Sequence, residues 1–381
     1  MLGFMKTPWR TAAVTGLFAV FAATALLPAT SALAQNRTLP DFTDLVEQVS
    51  PSVVNIRTSE KAKTAAAGGG IDEQMLEFFR RFGIPVPPNM PRGPRSDRAP
   101  APQEEAQPRG VGSGFILTPD GFIMTNAHVV EGADEVIVTL TDNREYKAKI
   151  VGSDKRTDVA VVKIEATGLP AVKIGDSSRL KVGEWVMAIG SPFGLENTVT
   201  AGIVSARGRD IGAGPYDDYL QIDAPVNKGN SGGPTFNLAG EVVGVNTAIA
   251  SPSGGSVGIA FAIPAETTAN VVASLKESGA VARGFLGVQI QPLTPEMADA
   301  IGLKEPKGAL VASLEVNGPA EKAGLRRGDT IIALDGAAVK DARDLTRKVG
   351  QRRPGAKAEL TLWRDGKEQK LPVQLGKQPQ A

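Results

Sequence analysis

Cysteine is absent from the 381 residues, and histidine occurs once. The first absence excludes disulfides, thiol nucleophiles and thiolate-ligated metals; the second excludes a zinc site built from several imidazoles. Serine–histidine hydrolysis stays open, with His128 as the one residue able to serve as its base. Neither sign of charge dominates. The 42 Lys and Arg stand against 41 Asp and Glu, a net charge of +1 that leaves no electrostatic footprint for nucleic acid. Aromatics are scarce at 5%, while 43 glycines and 27 prolines favour many turns and short strands over helical bundles.

The one long apolar run is N-terminal. Lys6 and Arg10 precede "TAAVTGLFAVFAATALLPAT", and Ala32-Leu33-Ala34 has the small-x-small form of a signal-peptidase site. Residues 1–34 are therefore expected to be a signal peptide cleaved after Ala34, which moves the net charge from +1 to −1. The competing reading is an uncleaved inner-membrane anchor, since the run approaches the ~20 residues that span a bilayer.

Beyond it, "LPDFTDLVEQVS" reads as a short helix and Ser52–Thr58 as a strand. Eight of the 27 prolines then fall between Pro85 and Pro108, a composition that cannot bury a core and predicts a mobile loop over about 60–109. Inside that stretch, "EQMLEFFRRFG" carries Met75, Leu76, Phe78, Phe79 and Phe82. Two readings stand for it: an amphipathic helix packed on its own domain, or an apolar arm docking on a neighbouring subunit. From Gly110 to about Pro264, short strands follow one another across turns such as Pro119-Asp120-Gly121 and Asp142-Asn143. Strands this frequent, with no helical period between them, predict an antiparallel barrel or sandwich. "PAETTANVVASLKESG" is then one helix, with Pro264 at its first turn and Gly279 past its end. The last hundred residues alternate strands and helices as a separate module, closed by a hairpin at Asp365-Gly366. The boundary is expected within Ser278–Arg283.

Chemistry gathers in "VNKGNSGGP", Val226 to Pro234, where one serine stands among three glycines. Amide hydrolysis needs a nucleophile, a base, an acid to orient the base, and donors for the oxyanion. Ser231 is the candidate nucleophile. Gly229 lets a backbone N–H point where that of Ser231 points, forming the oxyanion hole, and Gly232 and Gly233 leave room for a peptide. The base is His128 in "TNAHVV", at the end of an apolar strand where a loop begins. Asp158 in "TDVAVVKI" heads another apolar strand and is the candidate orienting acid; Asp154 is its nearest rival, in a "GSD" that looks like a turn. His128, Asp158 and Ser231 follow the His–Asp–Ser order of chymotrypsin-type enzymes.

"TNAHVV", "TDVAVVKI" and "GNSGGP", with "GSPFGLENTVTAGIVSARGR" and "GIAFAIP", resemble the HtrA/Deg family of exported serine proteases over roughly residues 38–375. The resemblance implies a mainly β fold: a chymotrypsin-like double β-barrel followed by an α+β PDZ domain. It assigns 35–279 to a trypsin-like serine protease domain, 280–375 to the PDZ domain and 376–381 to a tail. It also implies the triad His128, Asp158 and Ser231, with Gly229 and Ser231 as oxyanion hole. The first specificity pocket of such folds lies five or six residues before the serine, here Val226 and Pro225. Neither is charged, so cleavage is expected after small apolar residues; Pro225 stands where the family carries alanine. PDZ domains bind chain-terminal carboxylates through backbone N–H groups of an X-Φ-G-Φ loop, which Phe285, Leu286, Gly287 and Val288 match. Arg209 aligns with the arginine that relays activation in the family.

Together these features imply a periplasmic, ATP-independent endoprotease of unfolded or misfolded proteins. The resemblance also implies a homotrimer, with a larger assembly left open; no cofactor is expected to be needed and no nucleic acid to be bound. Two alternatives are a membrane-anchored regulatory protease cutting one signalling substrate, and a holdase-type chaperone with a latent triad.

Overall fold

The computed structural model describes residues 39–60, 107–192 and 197–379. The signal segment, most of the proline-rich loop and its apolar arm lie outside the described residues. Among the described residues no helix is long and apolar enough to cross a membrane. The described residues from Phe42 to Pro379 form one compact unit.

A helix, α1 (Thr43–Val49), leads through a 3₁₀ turn with Pro51 into the first barrel. Its strands are β1 (Val53–Glu60), β2 (Gln107–Ile116), β3 (Phe122–Thr125), β4 (Glu135–Thr139), β5 (Glu145–Asp154) and β6 (Val159–Lys163), with a short helix α2 (Ala127–Val130) after β3. They close in the order β1-β2-β3-β6-β5-β4, so no edge is left open to another chain. Alternation in β4 buries Val136 and Val138 in the barrel with Ile56, Ile116 and Ile123. The Asn143 turn between β4 and β5 has φ 65°, a left-handed conformation that asparagine tolerates.

The second barrel holds β7 (Lys173–Ile174), β8 (Trp185–Gly190), β9 (Thr198–Arg209), β10 (Tyr219–Ile222), β11 (Pro234–Asn237), β12 (Glu241–Ile249) and β13 (Ala260–Pro264). The order is β11-β8-β9-β10-β13-β12-β7, and a β11–β12 pairing closes the ring. A separate apolar cluster joins the barrels: Phe115, Met124 and Val161 of the first pack with Met187, Ile189 and Phe236 of the second. Burying each of these large side chains stabilises the seam by ~1.5–3 kcal/mol. The candidate site is built on this seam.

Helix α3 (Ala265–Ser278) follows, buried through Ala265, Thr268, Val271 and Leu275, and ends at Gly279 with φ 70°. It lies so close to β5 that a Cβ on Gly152 would meet Leu275 Cδ2 at 3.0 Å. Close approach is the reason for that glycine.

The last module has its own core, with Leu286, Val311, Ile331, Leu345 and Leu360 at its centre. Its elements are β14 (Gly284–Phe285), β15 (Val288–Pro292), α4 (Pro295–Ala300), β16 (Ala309–Leu314), α5 (Pro319–Ala323), β17 (Thr330–Leu334), β18 (Ala337–Ala338), α6 (Ala342–Gly350), β19 (Lys357–Arg364), β20 (Lys367–Gln374) and β21 (Gly376–Lys377). The main sheet runs β15-β16-β17-β19-β20, which leaves β15 an edge strand, and β14 pairs with β21. Between module and barrels, Arg283 donates to Asp154 Oδ1 at 2.9 Å and stacks over Tyr216 at 4.7 Å. Tyr216 donates to Gln378 at 2.9 Å, and Arg347 pairs with Asp218 at 2.6 Å.

Candidate active site

Strand β3 ends at Thr125, and the chain turns at Asn126 into α2, so His128 sits in a one-turn helix rather than directly in a loop. Its Nδ1 lies 2.8 Å from Asp158 Oδ2 and 3.0 Å from Oδ1, and its backbone N–H donates to Oδ1 at 3.0 Å. Asp158 immediately precedes β6 with φ 57°. Its carbonyl compensates that strained backbone by accepting from Asn126 Nδ2 at 2.8 Å and Ala127 N–H at 3.2 Å. Thr247 Oγ1, in β12, donates to Oδ2. Burial pushes the Asp158 carboxyl up. The His128 charge and the hydrogen bonds from His128 and Thr247 outweigh it, and the group is held below the usual carboxylate range.

Ser231 reaches the same seam by backbone bonds. The Ser113 N–H of β2 donates to its carbonyl at 2.8 Å. Gly232 donates to Asn246 O at 2.8 Å, and Asn246 N–H returns a bond to Gly233 O at 2.9 Å. The serine loop is thus stitched to the residue preceding Thr247, which itself touches Asp158. Gly232 (φ 85°) lies against β3, where a Cβ would meet Asn126 N at 3.0 Å. Gly229 has φ 99°, a backbone that glycine adopts without strain.

The other residues singled out by the sequence fall elsewhere. Asp154 ends β5 and is no turn residue; it is buried, bound to Arg283 and to the Thr157 N–H at 3.2 Å. Pro225 is exposed and its carbonyl accepts from Thr200 Oγ1 at 2.8 Å, whereas Val226 is buried in the second barrel with Leu180, Val186 and Ala188. Phe285 ends β14, Leu286 is buried, Gly287 has φ 71°, and Val288 opens the edge strand β15. Arg209 ends β9 and donates through Nε to Gln221 at 2.8 Å. Among the described residues no group of three or more His, Asp or Glu is arranged to hold a metal ion.

Thr247 and Asn126 were not singled out by the sequence. Thr247 lies inside the strand-like run "EVVGVNTAI", and nothing local separates it from a packing threonine. Asn126 had one usable signal, its place two residues before the only histidine.

Chemically, a carboxylate that fixes one imidazole nitrogen leaves the other free to take a proton from a hydroxyl. The comparisons agree with that chemistry. Residues 112–245 match the trypsin-like peptidase domain and 284–375 the PDZ domain. A DegP-like periplasmic serine endoprotease of Rhizobium meliloti (strain 1021) is 47% identical over 97% of this chain and 77% of its own.

The chain belongs to the HtrA/DegP family.

A Brucella melitensis relative of the same name is 49% identical over 97% of this chain and 75% of its own. The solved structure of the HtrA-type protease AlgW with a decapeptide superposes with a TM-score of 0.71, at 38% identity over 90% of this chain and 100% of that one. Like other members of the family, the protein is a serine endopeptidase with two barrels and a PDZ domain.

Proposed function

We propose that Ser231 is the nucleophile, His128 its general base and acid, and Asp158 the group that fixes the imidazole tautomer. The observation that carries this is the two-oxygen approach of Asp158 to His128 Nδ1, at 2.8 and 3.0 Å, beside a serine loop tied to the same strand as Thr247. Ser231 Oγ attacks the substrate carbonyl while His128 Nε2 takes its proton. The oxyanion forms against the N–H groups of Gly229 and Ser231. Collapse passes the proton to the leaving amine, and water repeats the sequence on the acyl-enzyme.

The substrates proposed are unfolded or misfolded periplasmic proteins, cut after small apolar residues. The periplasmic names of the relatives and the uncharged pair Pro225 and Val226 support this. A peptide library cleaved chiefly after Lys or Arg would refute the pocket assignment. The domain division follows the same reading: protease to residue 279, PDZ domain over 280–375, with C-terminal peptides binding at Phe285–Val288 and along the open edge of β15. That AlgW was solved with bound peptides supports the peptide-binding role, and it also favours a second reading, a regulatory protease active only when a peptide is bound. Arg209 is proposed as the activation relay, in which case Arg209→Ala abolishes peptide stimulation.

Casein digestion by the wild type and Ser231→Ala tests the main reading. Broad digestion that vanishes in Ser231→Ala supports it. Digestion only after peptide addition supports the regulator, and no digestion under either condition favours a holdase.

A further inference from the structure

We infer that the Ser113 hydroxyl is a positioning group for the oxyanion hole, an inference that rests on the proposed roles of Ser231 and Gly229. Ser113 lies in β2 of the first barrel and is wholly buried. Its hydroxyl donates to the Gly229 carbonyl at 2.6 Å and accepts from the Ser191 N–H at 2.8 Å. Its backbone N–H donates to the Ser231 carbonyl at 2.8 Å, and its own carbonyl accepts from Thr125 Oγ1 at 2.7 Å. The hydroxyl's single proton and one lone pair are both engaged, so its direction is set.

Gly229 needs such an anchor. At φ 99° it has no side chain to restrict rotation about its Cα, and that rotation swings its N–H relative to the Ser231 N–H. The bond on its carbonyl fixes the Gly229–Asn230 peptide plane from outside the loop, using a strand of a closed barrel as the fixed point, so that only the φ and ψ of Gly229 itself separate its N–H from a held frame. Neighbouring glycine makes the room: a Cβ on Gly190 would meet Ser113 Oγ at 2.9 Å and Asn230 Oδ1 at 2.8 Å. Because Ser191 shares the hydroxyl, the loop after β8 and the oxyanion loop are held by one group. Loss of a whole oxyanion donor lowers kcat by ~10²–10³ in measured enzymes, so a group acting through Gly229 is expected to cost ~10–100-fold.

The test is steady-state kinetics on a quenched-fluorescence peptide that the wild type cleaves, with Ser113→Ala and Ser113→Cys. The cysteine variant preserves volume and replaces a strong donor with a weak one, so it keeps the test decisive if the alanine variant fails to fold. In both, kcat should fall ~10–100-fold with KM within about threefold, the pattern of an interaction made in the transition state. Affinity for a peptide boronic acid, which takes the tetrahedral form on Ser231, should weaken in parallel. A folded variant with kcat within about threefold of wild type, or a kcat loss without weaker boronate binding, would overturn the inference. Ser231→Ala separates the two levels. Activity in that variant within about a hundredfold of wild type sinks the underlying reading, whereas a Ser231→Ala that loses nearly all activity beside near-normal Ser113 variants sinks this inference alone.

Discussion

Donors converge on Asp158 from both barrels: the His128 ring and N–H and the Asn126 amide from the first, the Thr247 hydroxyl from the second. Removing its charge while keeping its shape, as in Asp158→Asn, is expected to lower kcat by ~10⁴, the scale seen when a triad imidazole is held in the wrong tautomer. Thr247→Val deletes one hydrogen bond to a charged group, worth ~1.5–3 kcal/mol, so kcat should fall roughly 10–100-fold if the bond is fully expressed in the transition state. The depressed Asp158 carboxyl also fixes a sign. Its folded-state value lies below its unfolded one, so its contribution to stability is present above the ordinary carboxylate range and disappears as pH falls through the depressed value. Melting curves taken across acid pH should therefore show the Asp158→Asn protein losing less stability on acidification than the wild type. His128 and Ser231 were legible in the sequence because the chain has one histidine and one serine set among three glycines. Ser113 was not: "GSGFI" reads as a strand entry, and its meaning lies in contacts 116 and 78 residues away.

At the scale of elements, the alternation of apolar runs and turns was enough to foresee an all-β domain with a mixed module behind it. What escaped has physical causes. Strand β7 is two residues long, and β11 opens on Pro234, a residue that argues against a central strand; it pairs with Val245 of β12, while the pairing of β11 with β8 begins only at Thr235. Helix α2 is four residues with two valines, which read as strand continuation. Gly152 gives this scale its prediction. Its φ is ordinary, so Gly152→Ala carries no left-handed strain; the new methyl must instead displace α3 at Leu275 and Gly279. Denaturant unfolding should show a loss of ~1–3 kcal/mol, the cost of overpacking. An unchanged midpoint would mean that α3 is less tightly docked than its Leu275 contact implies.

In the whole molecule, the C-terminal module and the segment leading into it meet the barrels through charge. Arg283 and Asp154 are both nearly excluded from solvent, at 7% and 9% side-chain exposure, so Arg283→Ala leaves a buried carboxylate without its partner. Breaking such a pair costs ~3–5 kcal/mol, while Asp154→Leu combined with Arg283→Met should recover most of it. Calorimetry of the single and double variants checks both. The second joint behaves differently. Burial pushes the Asp218 carboxyl up; Arg347 pulls it back, the Asp344 charge pushes again, and the group remains raised. A raised carboxyl contributes stability that is complete below the ordinary carboxylate range and lost as pH rises through its folded-state value. Asp218→Asn should accordingly melt no lower than wild type at neutral pH, with Arg347 still paired to Asp344 at 2.7 Å. A lower melting temperature would show that the ion pair outweighs the burial. The central claim, that one serine of this chain becomes acylated through its single histidine, has a direct measurement. A fluorophosphonate probe followed by intact and peptide mass spectrometry should place one adduct per chain on Ser231 in the wild type, and none in His128→Ala or Ser231→Ala. An adduct on another residue, or undiminished labelling of Ser231 without His128, would contradict the account.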